Sequence, residues 1–258
     1  MKVLVLLKQV PRLRSDTPFN DDGTWLDLEK TKFDANSYDL FALEAALQLV
    51  EASGDDGEVV VASAGPKRVV EALKSALEIG AHRAIHLIGD GYEALDAGAL
   101  ARVFAVVCER EQPDLVVSGF MSDDGNAAAL GPMLAEAADI PSATGIVTIE
   151  ATVDGFRVER ELEAGAFEVV DLGRPALVTV HSGINEVRYP SLKAIVAARK
   201  KKIDVIEPGD LGSDAPPANS AIQSIASAGN EGAAELLEGT VEEVVDGLIA
   251  KLDELRVL

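Results

Sequence analysis

Cysteine is all but missing from this chain. A single Cys108 among 258 residues permits no internal disulfide, which suits a reducing compartment such as the cytoplasm. It stands in the apolar run RVFAVVCER and is expected to be a buried structural thiol. Histidine is scarce as well, and the scattered His82, His86 and His181 exclude a structural zinc site. Aromatic residues make up only 4% of a chain that is 48% hydrophobic, so the core must be built from Val, Ile, Leu and Ala. No run approaches the roughly 20 apolar residues of a membrane span. Lys8 and Pro11 interrupt the opening MKVLVLLKQVP, which reads as a first buried strand rather than a leader. Positive charge is also short: 23 Lys and Arg stand against 44 Asp and Glu, a formal charge of -21. Such a surface repels phosphate backbones and excludes general nucleic-acid binding. Finally, there is no Ser-His-Asp or Cys-His set, no H-E-x-x-H and no Walker lysine. A chain without an acid, base or nucleophile set reads as a carrier or binding subunit rather than a free-standing enzyme.

What is present is an alternation of strand-length apolar runs with helical patterns, the signature of a parallel sheet with crossover helices. Val3 to Leu7 is the first strand, and residues 12 to 35 read as a long loop or hairpin insertion. Asn36 or Ser37 caps a helix that carries Leu40, Leu43, Leu47 and Val50 on one face. Glu58 to Ala62 is a buried strand ending in Ser-Ala-Gly-Pro, followed by a helix through Ala72, Leu73, Ala76 and Leu77 that Gly80 stops. AHRAIHLIG, residues 94 to 110 and PDLVVSG supply a third strand, a third helix and a fourth strand. From residue 144 the pattern alternates and turns at Asp154-Gly155 and Gly165, which predicts an antiparallel hairpin region appended to the parallel core. The expected fold is therefore α/β, a mostly parallel sheet with crossover helices, over residues 1–212. Residues 213–239, rich in Ala, Ser, Pro and Asn, form a linker or arm. Residues 240–258 form a terminal amphipathic helix opened by a Thr240–Glu243 capping box, with Val244, Val245, Leu248, Leu252 and Leu255 on its apolar face. That face returns to its own domain or reaches a second subunit.

Ligands of open parallel sheets sit outside the carboxyl ends of the strands, where loops meet helix N-termini. Lys8 to Pro11, Ser63 to Pro66 and Ser118 to Pro132 all arrive at that edge, and together outline a nucleotide or phosphate pocket. The same small residues also serve ordinary strand-to-helix turns. Asp123-Asp124 reads either as a metal or base pair or as a solvated turn capping the following helix.

The rare positive charge is itself concentrated. Residues 185–205, NEVRYPSLKAIVAARKKKIDV, hold six of the 23 Lys and Arg. Pro190 sets the chain direction and Ser191 caps a short helix with Leu192, Ile195 and Val196 along one stripe. Cations at a helix C-terminus complement its dipole, which accounts for one or two bases there rather than four.

Several of these stretches recur together in one family. K-Q-V-P at 8 to 11, S-A-G-P at 63 to 66, A-L-E-I-G-A-H-R-A-I-H-L at 76 to 87 and P-D-L-V-V-S-G at 113 to 119 come in that order. N-E-V-R-Y-P-S-L-K at 185 to 193 and A-R-K-K-K-I-D-V at 198 to 205 follow. Over residues 1 to about 212 the chain resembles the β subunit of electron-transfer flavoprotein. The resemblance implies a Rossmann-like α/β subunit that pairs with an α subunit carrying a redox-active FAD. It also implies docking to flavin dehydrogenases, such as the acyl-CoA dehydrogenases of fatty acid β-oxidation, and delivery of electrons to a quinone oxidoreductase or another acceptor.

The resemblance further implies an adenine nucleotide in this subunit, AMP in simple carriers or a second FAD in electron-bifurcating members. Its residues carry over as Leu6 and Lys8, Asn36 to Asp39 (Asn36, Ser37, Tyr38, Asp39), Ser63 and Ala64. A phosphate loop continues the set with Asp123, Asp124, Gly125, Asn126, Ala127, Ala128, Ala129, Leu130, Gly131 and Pro132. The docking segment carries over as Tyr189, Pro190, Leu192 and Lys193, with Leu192 as the anchor in a dehydrogenase pocket. One departure stands out. Bifurcating members usually read D-G-D-T-A-Q-V-G-P where this chain has D-G-N-A-A-A-L-G-P, so Ala127 and Ala129 replace hydroxyl and amide donors. AMP, FAD and an empty site therefore stay open. A different class, an AMP- or ATP-binding module like the universal stress proteins, shares the sheet but needs a G-x-x-G-x-x-G-[ST] loop that this chain lacks. An adenylating or pyrophosphatase enzyme would need an S-G-G-x-D-S-like loop where residues 8 to 15 read KQVPRLRS.

Overall fold

β1 (Lys2–Leu6) is buried along its last four residues, on both faces, as befits a strand inside a parallel sheet. It pairs in parallel with β4 (Glu58–Gly65) on one side and β6 (Leu115–Gly119) on the other. β5 (Arg83–Ile88) and β11 (Ile203–Ile206) continue the parallel sheet beyond β4. Beyond β6 come β10 (Ala176–Val180), β7 (Ser142–Ala151), β8 (Gly155–Glu161) and β9 (Phe167–Gly173). A separate antiparallel pair, β2 (Gln9–Pro11) and β3 (Phe33–Ala35), closes the neck of the insertion at residues 12–32. This computed structural model describes residues 1–14, 17–54, 57–211, 218–226 and 236–256.

Among the described residues the order of the main sheet is β11-β5-β4-β1-β6-β10-β7-β8-β9. The chain starts in the middle, winds outward through β4 and β5, then crosses back to β6. The order therefore reverses beside β1, and loops leaving β1, β4 and β6 diverge there to open a crevice.

Side chains on each strand alternate between two cores. Val3, Val5, Val59, Val61, Leu115 and Val117 pack against α1 (Ser37–Ala52) and α2 (Val70–Ile79). Leu4, Leu6, Val60, Ala62 and Val116 pack against α3 (Ala97–Glu111) and α4 (Leu130–Ala137). Each buried aliphatic side chain contributes about 1.5–3 kcal/mol, so the small aromatic share is no handicap to a core of this size. Cys108 is buried in α3, and burial pushes its thiol up to about 12. Gly80 ends α2 as expected, at φ 156°.

Two details differ from the sequence reading. The antiparallel hairpin region is present, turning where expected, but it is continuous with the parallel sheet rather than a separate appendage. β7 and β10 pair in parallel with each other and β10 with β6, the pairs β7–β8 and β8–β9 are antiparallel, and only β8 runs against the rest of the sheet. Alternation marks half-buried strands but carries no information about strand direction. The second difference is β11, which emerges from the basic tract itself and seals the edge of β5.

The chain falls into two compact units, Met1–Ile225 and Ala226–Leu258. Residues 212–217 and 227–235 of the expected arm lie outside the described residues. In the first unit, Asp96 caps α3 through Ala99 N–H and also accepts from the N–H groups of Asn219 and Ser220. The second unit carries α6 (Val241–Glu254), whose Thr240–Glu243 capping box is formed and none of whose residues is buried. No helix among the described residues is long and apolar enough to cross a membrane.

Candidate functional site

Lys8 leaves the end of β1 and organises the crevice. Its backbone N–H donates to Asp39 Oδ2 at 2.7 Å, and its ammonium reaches Asp124 Oδ1 at 2.7 Å and Ser122 Oγ at 3.3 Å. Asp39, in the first turn of α1, accepts a second bond from Gly119 N–H at 2.9 Å. Burial pushes the Asp39 carboxyl up to about 7, against the pull of those two N–H groups. Asp124 is also held back by burial, but its bond to Lys8 prevails and its carboxyl sits below the usual range. Gly119 is required here, because a Cβ would come within 2.5 Å of Asp39 Oδ1.

The two acids of the Asp-Asp pair have separate tasks, and neither caps the following helix. α4 begins after Ala129 without a side-chain cap. Asp123 instead caps α1, accepting from Ser37 N–H at 3.0 Å and Ser37 O–H at 2.8 Å. Asn36 holds the N-cap position of α1 but makes no capping bond. Its amide bridges to Met121 O and Asp123 N–H, at 3.0 and 2.9 Å. α1 and the loop after β6 thus cap one another, which fixes the loop from below.

Above that foundation the loop exposes its backbone. Asn126 and Ala128 both adopt left-handed φ, 49° each, a conformation that costs alanine about 1 kcal/mol and is found at ligand-binding turns. Asn126 N–H bonds to Ser122 O. Among the described residues, the N–H groups of Ala127, Ala128, Ala129, Leu130 and Gly131 donate to no protein acceptor. Alternating backbone handedness followed by a helix N-terminus makes a concave set of donors suited to an anion. This donor set fits a phosphate even though the alanines offer no side-chain bond.

The resulting cavity of about 260 Å³ is walled by this loop and by residues from five other segments. Leu6, Lys8, Asn36, Asp39, Ala64, Asp124, Gly125, Ala127, Ala128, Ala129, Leu130 and Gly131 line it, as do residues not anticipated from sequence. Ser37, Tyr38, Ser63, Asp123, Asn126 and Pro132 lie outside the wall. Ser63 points to the α1 and α2 core because it alternates with Ala62 and Ala64, while Tyr38 packs edge-on against Phe41 and His181. The unanticipated wall includes Tyr92, Glu93 and Phe104 beyond β5, with Trp25 and Phe33 from the insertion. Glu93 is pushed up by burial despite its ion pair with Arg68, whose guanidinium stacks on Phe33. The signal for them was the strand edge itself: the connection after β5 ends at the same side of the sheet.

The docking segment lies on the other side of α1. Arg188 places its Nε and Nη2 on buried Glu44 at 2.8 and 2.9 Å and its Nη1 on Glu51 at 2.6 Å, while Asn185 donates to Phe41 O. From that anchor Tyr189 (96% exposed) and Leu192 (84%) project into solvent. Pro190 is half-buried between them and Lys193 is exposed. Ser191 caps α5 (Leu192–Ala198) as expected, accepting from Ala194 N–H. Of the basic tract, Lys201 donates to Leu77 O, Gly80 O and Ala81 O at the end of α2, and Lys202 pairs with Asp204.

Comparison with known proteins gives this arrangement a family. Residues 24–211 match the electron transfer flavoprotein domain. The chain is 34% identical over 263 residues to an electron transfer flavoprotein subunit beta of Methylophilus methylotrophus, covering 99% of both. The chain belongs to the electron transfer flavoprotein β-subunit family. It is also 35% identical to the human electron transfer flavoprotein subunit beta, across 99% of this chain and 98% of that one. A relative of the same name from Thermoanaerobacterium thermosaccharolyticum is 32% identical over the full length of both. The similarity therefore extends through the second unit as well as the sheet. As a family, electron transfer flavoproteins work with a flavin, and the β-subunit name implies an α partner.

Proposed function

We propose that this chain pairs with an FAD-bearing α subunit, holds an adenine nucleotide in the β1–β4–β6 crevice, and docks flavin dehydrogenases through Leu192. The observation that carries the reading is the 127–131 run of unpaired N–H groups facing a cavity at the point where the strand order reverses. The flavin of the partner supplies the redox chemistry when bound. This chain's own groups position and neutralise: Lys8, tied to Asp124, sets a positive charge at the mouth of the anion cradle, and Asp39 pins the ends of β1 and β6.

Docking follows from the exposure of Leu192 on a segment braced by Arg188 and started by a proline, so an apolar side chain is offered at small ordering cost. The docking partner is a flavin dehydrogenase, such as one of the acyl-CoA class, and the electrons go on to a quinone oxidoreductase or another acceptor. The unburied apolar residues of α6, among them Val245, Leu248 and Ile249, are covered by the α subunit.

The test is to coexpress the chain with its α partner, denature the purified heterodimer and quantify its nucleotides by chromatography. One FAD with one AMP per dimer supports a simple carrier. Two FAD would assign a bifurcating type, one FAD alone would remove the nucleotide from this subunit, and a homodimer that ignores the α subunit would overturn the whole reading.

A further inference from the structure

Three buried polar atoms in the cavity wall have no partner: Ser118 Oγ, the Tyr92 phenol oxygen and Gln9 Oε1, the amide nitrogen of Gln9 donating to Arg68 O. Ser118 Oγ and the Tyr92 phenol oxygen are shielded from solvent without a hydrogen bond, in residues that are each 4% exposed and that line the cavity. Buried hydroxyls in native proteins are rarely left unsatisfied, because they have given up hydration for nothing. Two in one wall indicate a molecule that satisfies both.

Their positions say which part of it each would meet. Ser118 follows Val117 on β6 and so faces α3 and α4. Its Oγ lies against the first turn of α4: a Cβ on Gly131 would be 3.5 Å from it. The hydroxyl therefore sits at the foot of the loop with the free N–H groups. Tyr92 stands in the helical turn Asp90–Ala94 after β5. β4 and β1 separate β5 from β6, three strand spacings or about 14 Å. Leu6, Ala64, Leu100 and Phe104 floor the space between. A volume of about 260 Å³ falls just below the roughly 300 Å³ at which small-molecule pockets usually begin.

We propose that Ser118 and Tyr92 are the side-chain hydrogen-bonding residues that hold a nucleoside monophosphate in this cavity, Ser118 on the phosphate and Tyr92 on the nucleoside. The inference rests on the nucleotide reading above and deepens it. Ala127, Ala128 and Ala129 leave the tip of the loop with backbone donors alone, Ser122 Oγ already accepts from Lys8 and Gly125 N–H, and the strand beneath supplies a hydroxyl that has no partner. The short reach between the two groups selects a mononucleotide over a dinucleotide.

The heterodimer, stripped of nucleotide, is titrated calorimetrically with AMP, adenosine and FAD as wild type, Ser118→Ala and Tyr92→Phe. Ser118→Ala is expected to weaken AMP about tenfold or more, the loss of one bond to a charged oxygen, and to leave adenosine unchanged. Tyr92→Phe is expected to weaken AMP and adenosine alike, by about fivefold. Melting of the nucleotide-free variants should be unchanged or higher than wild type, since each loses an unpaired buried hydroxyl. A purely structural hydroxyl would lower it, which overturns the assignment. Wild-type AMP affinity in both variants would sink this inference and leave the nucleotide reading standing. Wild type that binds none of the three ligands would sink the reading itself, and FAD bound more tightly than AMP would overturn the mononucleotide selection.

Discussion

Replacing Arg188 by methionine keeps most of the side-chain stem and removes the cation that holds a buried carboxylate. The Glu44 side chain is 3% exposed and accepts two bonds from the Arg188 guanidinium and one from Gln48. Breaking a buried pair costs about 3–5 kcal/mol when the remaining charge is stranded. Arg188 itself is 34% exposed and Gln48 stays in place, which lowers the expected cost to about 2–3 kcal/mol near neutral pH. In a protein of this size that is a fall of roughly 5–10 °C in Tm. The pH dependence is more specific than the magnitude. Burial alone would raise the Glu44 carboxyl, but the bonds from Arg188 and Gln48 outweigh it and hold it below the ordinary 4.5. That stabilisation is present above 4.5 and lost as pH falls through the lowered value. In Arg188→Met the Gln48 amide and the backbone N–H of residue 188 still bond the carboxylate, but burial loses its main opponent, the carboxyl rises, and stability is instead lost as pH rises. Urea denaturation of both proteins at several pH values between about 5 and 8 should therefore show a gap that widens toward alkaline pH. A gap that stays constant, or stays under about 0.5 kcal/mol, would refute the reasoning.

Asp39 gives a second pH effect. Burial raises its carboxyl from 3.8 to about 7, so its contribution is fully present below about 4 and is lost as pH rises toward 7. An NMR titration of the Asp39 carboxyl should have its midpoint near 7, and a midpoint below 4 would contradict the cause assigned. Lys201→Met should cost about 1–2 kcal/mol in urea denaturation by uncapping the carbonyls at the end of α2, and an unchanged midpoint would count against that role. Leu192→Ala should raise the KM for a flavin dehydrogenase about tenfold while changing stability by less than about 0.5 kcal/mol, because the side chain is 84% exposed. Unchanged kinetics at low dehydrogenase concentration would remove the anchor.

Much of the crevice could be read from the chain. Strand-length apolar runs, the S-A-G-P turn and the glycine-bearing loop after PDLVVSG place three loops at one sheet edge by connectivity alone. Half of the wall could not be read. Tyr92 and Phe104 reach the cavity because β5 and α3 happen to flank it, and Trp25 and Phe33 because the insertion folds across it. The alternation of residues 144–180 announced strands but not that β7 and β10 run parallel to the core.

The basic tract shows where the division falls. Its composition, the Pro190 turn and the Ser191 cap are local, since each depends on residues within one or two turns of chain. Local patterns also determined the cores, because a period of two on a strand decides which side chains share a face. Partners are another matter. Arg188 meets Glu44 and Glu51 more than a hundred residues away, Lys201 caps a helix that ended at residue 79, and Asp123 caps one that begins at residue 37. Such pairings follow from which strands lie side by side, and only the tertiary structure decides that. A charge anomaly in the sequence thereby becomes, in three dimensions, a set of anchors that leaves Leu192 exposed.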